Sequence, residues 1–476
     1  MLHNIHEFYN ILPLVIIGAG ILVSLTVEMF KKESESAVSW IAVIVLLAAA
    51  FYSLATVNSV SVVMQNMLAT GGIVNIFYFV FTFGAALVCL LSMDYLKKYG
   101  AYYGEFYLLV QTSVLGMMLM AGAKDLFTIF LGLELMSISF YALAGINRKR
   151  VSANEASLKY FLLGAFATGF TIYGIALIYG TSGTTSIEGL VSGFTSLSGN
   201  FLFITGILLF LIGFSFKIAA FPFHMWVPDV YEGSATTISG LFSTGGKAAA
   251  FSAIIVTLGT VFSTVSPHIF TPYLAVISVL SMLFGSIVAI VQDNIKRMLA
   301  YSSIAHAGYM LIGFAAGNFD GIAGIIFYLT AYTFMNLGAF GIVSIIEGTD
   351  EANLSISSYA GLSSRRPLLA ALLSIFMFSL AGIPPFAGFF GKYYVFISAI
   401  ESGLTWLAIV GVAASVISVY FYLRIVVLMY FREAEQEIST SQTSTGLLAV
   451  IISVLLVIVL GIAPGTIIGL ISSFLA

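Results

Sequence analysis

The fold class this sequence predicts is an all-α polytopic membrane protein, about 14 transmembrane helices in one integral membrane domain over residues 1–476. Three observations predict it. Hydrophobic residues are 60% of the chain and charged residues 8%, where soluble domains carry about 25% charge. Apolar runs near the ~20 residues that a bilayer-spanning helix requires recur from one end of the chain to the other. The basic residues between those runs collect on one side of them.

The runs give the elements in order. Helix 1 extends from Ile11 to Phe30, helix 2 from Val38 to Val57, helix 3 from Ile73 to Met93, helix 4 from Glu105 to Gly122, and helix 5 from Asp125 to Ile146. Helix 6 covers Ser157 to Gly180. Helix 7 runs from Phe201 to Tyr231 and is interrupted by Pro222, which cannot donate to the helix ladder. Helices 8 to 11 follow at Thr236 to Phe262, Phe270 to Val291, Arg297 to Ala316, and Gly321 to Glu347. Helix 12, Pro367 to Glu401, is interrupted by Pro384 and Pro385. Helices 13 and 14 occupy Leu404 to Phe431 and Leu447 to Phe474. Helix 1 has no basic segment before it and no small-residue cleavage pattern after it, so it is expected to be retained as a span.

With this count, Lys31, Lys32, Lys97, Lys98, Arg148, Lys149, Arg150, Lys296, Arg297, Arg365, Arg366 and Arg432 all fall in odd-numbered loops, and Lys124 alone falls in an even one. The bias toward basic cytoplasmic loops then puts both termini outside the cytoplasm. Arg424, about two turns from the end of helix 13, is expected to snorkel. A net charge of -3 and the lack of a basic tract argue against nucleic acid. The single cysteine, Cys89, cannot supply the four thiolates that an iron-sulfur cluster takes. Of the five histidines, His3, His6 and His268 fall near segment ends and only His224 and His306 approach the membrane interior, which argues against haem.

Lys159, Lys217, Lys247, Lys392 and Glu134 lie inside the apolar runs. Each charge at mid-membrane depth costs at least ~2.5 kcal/mol on insertion scales, so five in one chain point to an ion or proton path. Glu134 is about nine residues into helix 5, or ~13 Å at 1.5 Å per residue, and Lys247 has comparable depth in helix 8. A buried lysine loses its proton more readily as it is desolvated and holds it as a carboxylate approaches, so a moving carboxylate switches it. Plainer roles stay open: Lys159 has Glu155 one turn away as a partner, His306 fits a hydrogen-bonded core histidine, and His224 could satisfy a carbonyl freed by Pro222.

Helices 7 and 12 are both broken by proline and lie five helices apart. An odd offset inverts the second copy, so helices 4–8 and 9–13 are the expected inverted five-helix repeats, approximately 105–262 and 270–431. Superposing the breaks pairs Lys392 with Asp229 and Lys217 with Leu380, which leaves the two lysines on opposite sides of their breaks.

Several segments together carry a family resemblance: Gly132-Leu133-Glu134-Leu135, the run Lys217-Ile218-Ala219-Ala220-Phe221-Pro222-Phe223-His224-Met225-Trp226-Val227-Pro228-Asp229, Lys247, and Gly382-Ile383-Pro384-Pro385-Phe386-Ala387-Gly388-Phe389-Phe390-Gly391-Lys392. Over nearly the whole chain the sequence resembles the antiporter-like membrane subunits of respiratory complex I. The resemblance implies fourteen helices with inverted repeats and a proton half-channel on either side of a central polar axis. It implies that Glu134 and Lys217 pair in the first half-channel, Lys247 relays at the centre, His306 connects, and Lys392 ends the second, with Lys159 and His224 accessory. Lys392 stands where one branch of the family has glutamate, and no long lateral helix follows helix 14 as in a second branch, which points to the third. The implied assembly is a proton-translocating NADH (or ferredoxin):quinone oxidoreductase of the bacterial inner membrane. No cofactor is expected in this chain; flavin, iron-sulfur clusters and quinone are expected in partner subunits, with the other membrane subunits, the lipid bilayer and protons as its partners. The alternative is a subunit of an Mrp-type sodium/proton antiporter or of a membrane-bound hydrogenase.

Overall fold

The computed structural model describes residues 2–259, 270–348, 352–433 and 444–475, with side chains from residue 7 onward. Among them twelve helices are long and apolar enough to cross a membrane. The two broken spans complete the expected set: helix 7 as Phe201–Lys217 and Trp226–Gly233, and helix 12 as Pro367–Ala381 and Ala387–Glu401. The C-terminal end expected for helix 8, and His268, lie outside the described residues.

Most expected boundaries agree with the observed ones to within a few residues. Helix 6 begins earlier, at Val151 instead of Ser157, because Glu155 and Lys159 pair one turn apart at 2.7 Å and let it run on past the apolar segment. Helix 14 divides at Ala463 into Ser444–Ile462 and Pro464–Ser473, with Pro464 opening the second piece, where its missing N–H costs nothing. Two elements were not legible as apolar runs. One is a short hairpin after helix 2, Ser61–Val63 against Leu68–Thr70, with Ser61 opposite Thr70. The other is an amphipathic helix after helix 6, Ile187–Leu197, too short to span.

Helices 8, 10 and 11 form the centre of the bundle, with 94% of the membrane window of each buried, whereas helices 1, 6 and 13 expose most of theirs. One packing detail recurs with the same residue spacing in both halves. Gly116 on helix 4 lies against the backbone of Gly132 and Met136 on helix 5, and Gly285 on helix 9 lies against Tyr301 and Ala305 on helix 10. Likewise Asp125 caps helix 5 and bridges to Ser186, while Asn294 caps helix 10 and bridges to Ser355. Both halves therefore bring a helix hairpin together by direct backbone contact.

Candidate functional site

The first half of helix 7 stops at Lys217 because Ala219 takes a left-handed conformation (φ 64°) and Pro222 follows. The ladder carbonyl of Phe216 is taken by the indole N–H of Trp226 at 3.0 Å, not by His224. His224 instead packs its ring on Phe221 (5.3 Å) and Phe284 (4.5 Å), with Nδ1 buried and without a partner among the described residues. The carbonyl-satisfying role considered for it is therefore filled by a tryptophan.

Lys217 is buried in an aromatic box. Its Nζ donates to the Tyr141 hydroxyl at 3.4 Å and lies 5.3 Å from the ring centres of both Tyr141 and Tyr160. Such rings stabilise an ammonium through their quadrupole without taking its proton. Glu134 is half-buried and accepts from Thr168 Oγ1 at 2.8 Å. Glu134 and Lys217, the pair that the resemblance implies, make no direct ion pair among the described residues: the carboxylate turns toward helix 6, and Tyr141, two turns further along helix 5, meets the lysine. The acid remains within electrostatic reach of Lys217. Tyr160 also packs against Phe242 (ring centres 5.5 Å apart), so aromatic rings line the way from Lys217 toward the centre.

Lys247 follows directly on a π-helical segment, Phe242–Gly246, within helix 8. Wide π turns disturb the backbone ladder and recur at functional positions. Its Nζ donates to the Ser303 carbonyl at 2.5 Å and to Ser303 Oγ at 2.6 Å. Three residues along helix 10, on the same face, His306 exchanges hydrogen bonds with Tyr328 (Nδ1, 2.8 Å) and Tyr422 (Nε2, 3.0 Å), and Tyr422 in turn bonds Ser302. One turn after Tyr328 on helix 11, Tyr332 lies with its ring 4.9 Å from that of His306 and 5.9 Å from Lys247 Nζ.

Lys392 lies in the second half of helix 12 and folds back on the break. Its Nζ donates to the freed carbonyls of Ala381 (2.9 Å) and Leu380 (3.3 Å) and to Ser415 (2.8 Å) on helix 13. Ser415 and Tyr422 are two turns apart on that helix, which brings the Lys392 and His306 sites onto one face. Among the described residues, however, no direct hydrogen bond joins the two.

Two lysines lie elsewhere than expected. Lys159, with 42% of its side chain exposed, is at the face that bears the basic loops, bridging Glu155 and Asp229 at 2.7 Å each. Arg297 extends this network to Asp229 (2.9 Å) and Glu232 (2.6 Å). Conversely Lys296, expected in a loop, is 0% exposed and donates to the carbonyls of Glu232 and Ser234, both at 2.7 Å. Helix 10 starts at Ile295, so Lys296 enters the bundle with its first turn. Arg424 does reach out, to Asp293 at 3.1 Å.

A family model described as NADH:quinone oxidoreductase/Mrp antiporter, TM, matches residues 123–418. The NADH-quinone oxidoreductase subunit N of Trichlorobacter lovleyi is 46% identical over 96% of this chain and 94% of its own length. The chain belongs to the subunit N family of NADH-quinone oxidoreductases. A chain of respiratory complex I from Thermus thermophilus superposes with a TM-score of 0.82 at 31% identity, covering 96% of this chain and 98% of that one. A chain of the Mrp complex from Dietzia superposes with a TM-score of 0.86 at 20% identity, over 100% and 97%, and shares the fold alone. In this subunit N chain the matched segment encloses every residue from Glu134 to Lys392, while helices 1–4 and 14 lie outside it. No group of three metal-ligating side chains gathers among the described residues of the subunit N chain.

Proposed function

We propose that the chain is a membrane-arm subunit of a proton-translocating NADH:quinone oxidoreductase and moves protons from the cytoplasm to the outside through Glu134, Lys217, Lys247, His306 and Lys392. The observation that carries the reading is the buried run from Lys247 through Ser303 on helix 10 to His306 and its two tyrosines. Three lysines and a histidine inside an apolar bundle without ion-pair partners among the described residues are expensive to keep, and a purely structural core has no use for them.

The electron chemistry belongs to partner subunits, which would hold flavin, iron-sulfur clusters and quinone and accept electrons from NADH or ferredoxin. In this chain Lys217 takes a proton from the cytoplasmic side while the Glu134 charge holds it. When the charge balance at Glu134 changes, Lys217 releases that proton toward Lys247 past the rings of Tyr160 and Phe242. Lys247 passes it along Ser303 to His306, whose two ring nitrogens can take a proton on one side and give one on the other. Lys392 receives it and releases it outside. Lys159 and Asp229 stand at the intake as an accessory ion pair, and His224 lines the break in helix 7.

Lys247→Met in the assembled complex, reconstituted in vesicles without sodium, tests the reading. Proton pumping should fall while assembly persists. Undiminished pumping, or pumping that requires sodium in the wild type, would overturn it.

A further inference from the structure

The most deeply buried carboxylate among the described residues lies outside this path. Glu347, 0% exposed, follows helix 11 at the face bearing the basic loops. Its Oε2 accepts from Thr236 Oγ1 (2.5 Å) and the Tyr95 hydroxyl (3.1 Å), and Oε1 is buried without a partner. Among the described residues no cation closes an ion pair with this carboxylate. Lys98 Nζ donates to the Glu347 main-chain carbonyl at 2.6 Å, and Lys296 lies within electrostatic reach while bonding carbonyls. Two further buried hydroxyls without partners, Ser234 Oγ and Tyr359 OH, lie close by in sequence or in charge contact. Unpaired buried polar atoms in such numbers point to water between them.

From this carboxylate a polar stripe leads inward. Thr236, Ser239, Ser243 and Lys247 follow at spacings of three, four and four on helix 8, which places them along one helix face. Helix 11 packs against that helix at Gly240, where Leu337 and Phe340 are its neighbours. Across the seam Asn336 donates to Ser243 Oγ (2.7 Å) and to the Tyr332 hydroxyl (3.0 Å), and Tyr332 faces Lys247. Asn336 Oδ1 is another buried atom without a partner. The stripe spans about eleven residues, or ~16 Å at 1.5 Å per residue, so the hydroxyls need intervening water to pass a proton.

We infer that Glu347 is a further proton-carrying residue of this subunit, taking protons from the cytoplasm beside Lys98 and passing them along Thr236, Ser239 and Ser243 to Lys247. The central lysine then has an intake of its own, apart from Lys217. In each transfer the carboxylic acid of Glu347 gives up its proton and the free amine of Lys247 gains one. Each hydroxyl between takes one and gives one, and the carboxylate recovers its proton from the cytoplasm. The inference rests on the proposed proton path.

Glu347→Gln tests it, since an amide oxygen can still accept from Thr236 and Tyr95 but cannot carry the proton. Protons pumped per NADH oxidised by the reconstituted complex should fall, with assembly unchanged, and Glu347→Asp should restore most of the loss. A full ratio in Glu347→Gln would overturn the inference and make the residue a fold-holding acceptor. Lys247→Met run in parallel separates the two claims: a lowered ratio there beside a full ratio in Glu347→Gln removes only this inference, and full ratios in both remove the proposed path as well. Should Glu347→Gln fail to assemble, Ser243→Ala decides, because it takes one hydroxyl out of the stripe and removes a single atom; a full ratio in that variant overturns the inference.

Discussion

Lys392 offers a separation between carrying a proton and carrying a charge. Its ammonium donates to the carbonyls of Leu380 (3.3 Å) and Ala381 (2.9 Å) and to Ser415 (2.8 Å). Lys392→Arg keeps the charge and brings five donors to the same acceptors, so the break in helix 12 should stay capped. An ordinary lysine titrates near ~10.4 and arginine at ~12.5 or above, so in a shared environment the proton-free form becomes at least ~100-fold rarer. A residue that must release a proton in each cycle should therefore stall. Lys392→Ala removes both charge and donors, and leaves two carbonyls that each cost about 1–3 kcal/mol if water does not replace the lysine. The assay is proton uptake into vesicles during NADH oxidation, normalised to assembled complex. Both variants should lose most pumping, with assembly largely kept in Lys392→Arg. Full pumping by Lys392→Arg beside an inactive Lys392→Ala would show that only the charge matters.

Glu134→Gln preserves the Thr168 hydrogen bond (2.8 Å) and removes only the charge that Lys217 feels, so pumping should fall at normal assembly and Glu134→Asp should retain more of it. Equal pumping in Glu134→Gln and wild type would leave Glu134 a helix-packing residue. Gly382→Ala places a side chain at φ 87° and against Lys392 Cδ, costing about 1–2 kcal/mol in the left-handed region and displacing the ammonium; reduced pumping with Lys392 still present is expected, and wild-type pumping would contradict the tight seat. Reporter fusions after Arg150 and Arg366 should report a cytoplasmic location and a fusion at Ala476 an external one; the opposite result at either loop would reverse the direction of the path.

Much of the bundle was legible because the bilayer imposes one length on every span, and because Pro222, Pro384 and Pro385 mark breaks that no apolar run hides. Buried charge was legible for a similar reason: an ammonium inside such a run stands out whatever surrounds it. What surrounds it was not. The partners of Lys217 come from helices 5 and 6, and those of His306 from helices 11 and 13, so they depend on packing that residue spacing along one helix does not encode. The π segment before Lys247 reads Phe-Ser-Thr-Gly-Gly, which marks a weak helix but not the wider turn that it adopts. Run length also misjudges residues at helix ends. Lys296 counted as a loop charge although the first turn of helix 10 buries it, and Lys159 counted as an intramembrane charge although helix 6 begins earlier and leaves it in an ion network. Glu347 was taken only as a terminus, since nothing local tells that helices 3, 8 and 10 close over it.

The central claim is that every pumped proton passes Lys247 and Lys392 in series, and one measurement tests it most directly: protons pumped per NADH oxidised by complexes bearing Lys217→Met, Lys247→Met, Lys392→Met and the Lys247→Met/Lys392→Met pair, at matched assembly. This order predicts that Lys247→Met and Lys392→Met lower the ratio by the same amount, that their pair lowers it no further, and that Lys217→Met, with the Glu347 intake still feeding Lys247, lowers it by no more than either. Unequal losses at Lys247 and Lys392, a pair whose losses add, or a ratio equal to wild type in either of these variants would contradict it.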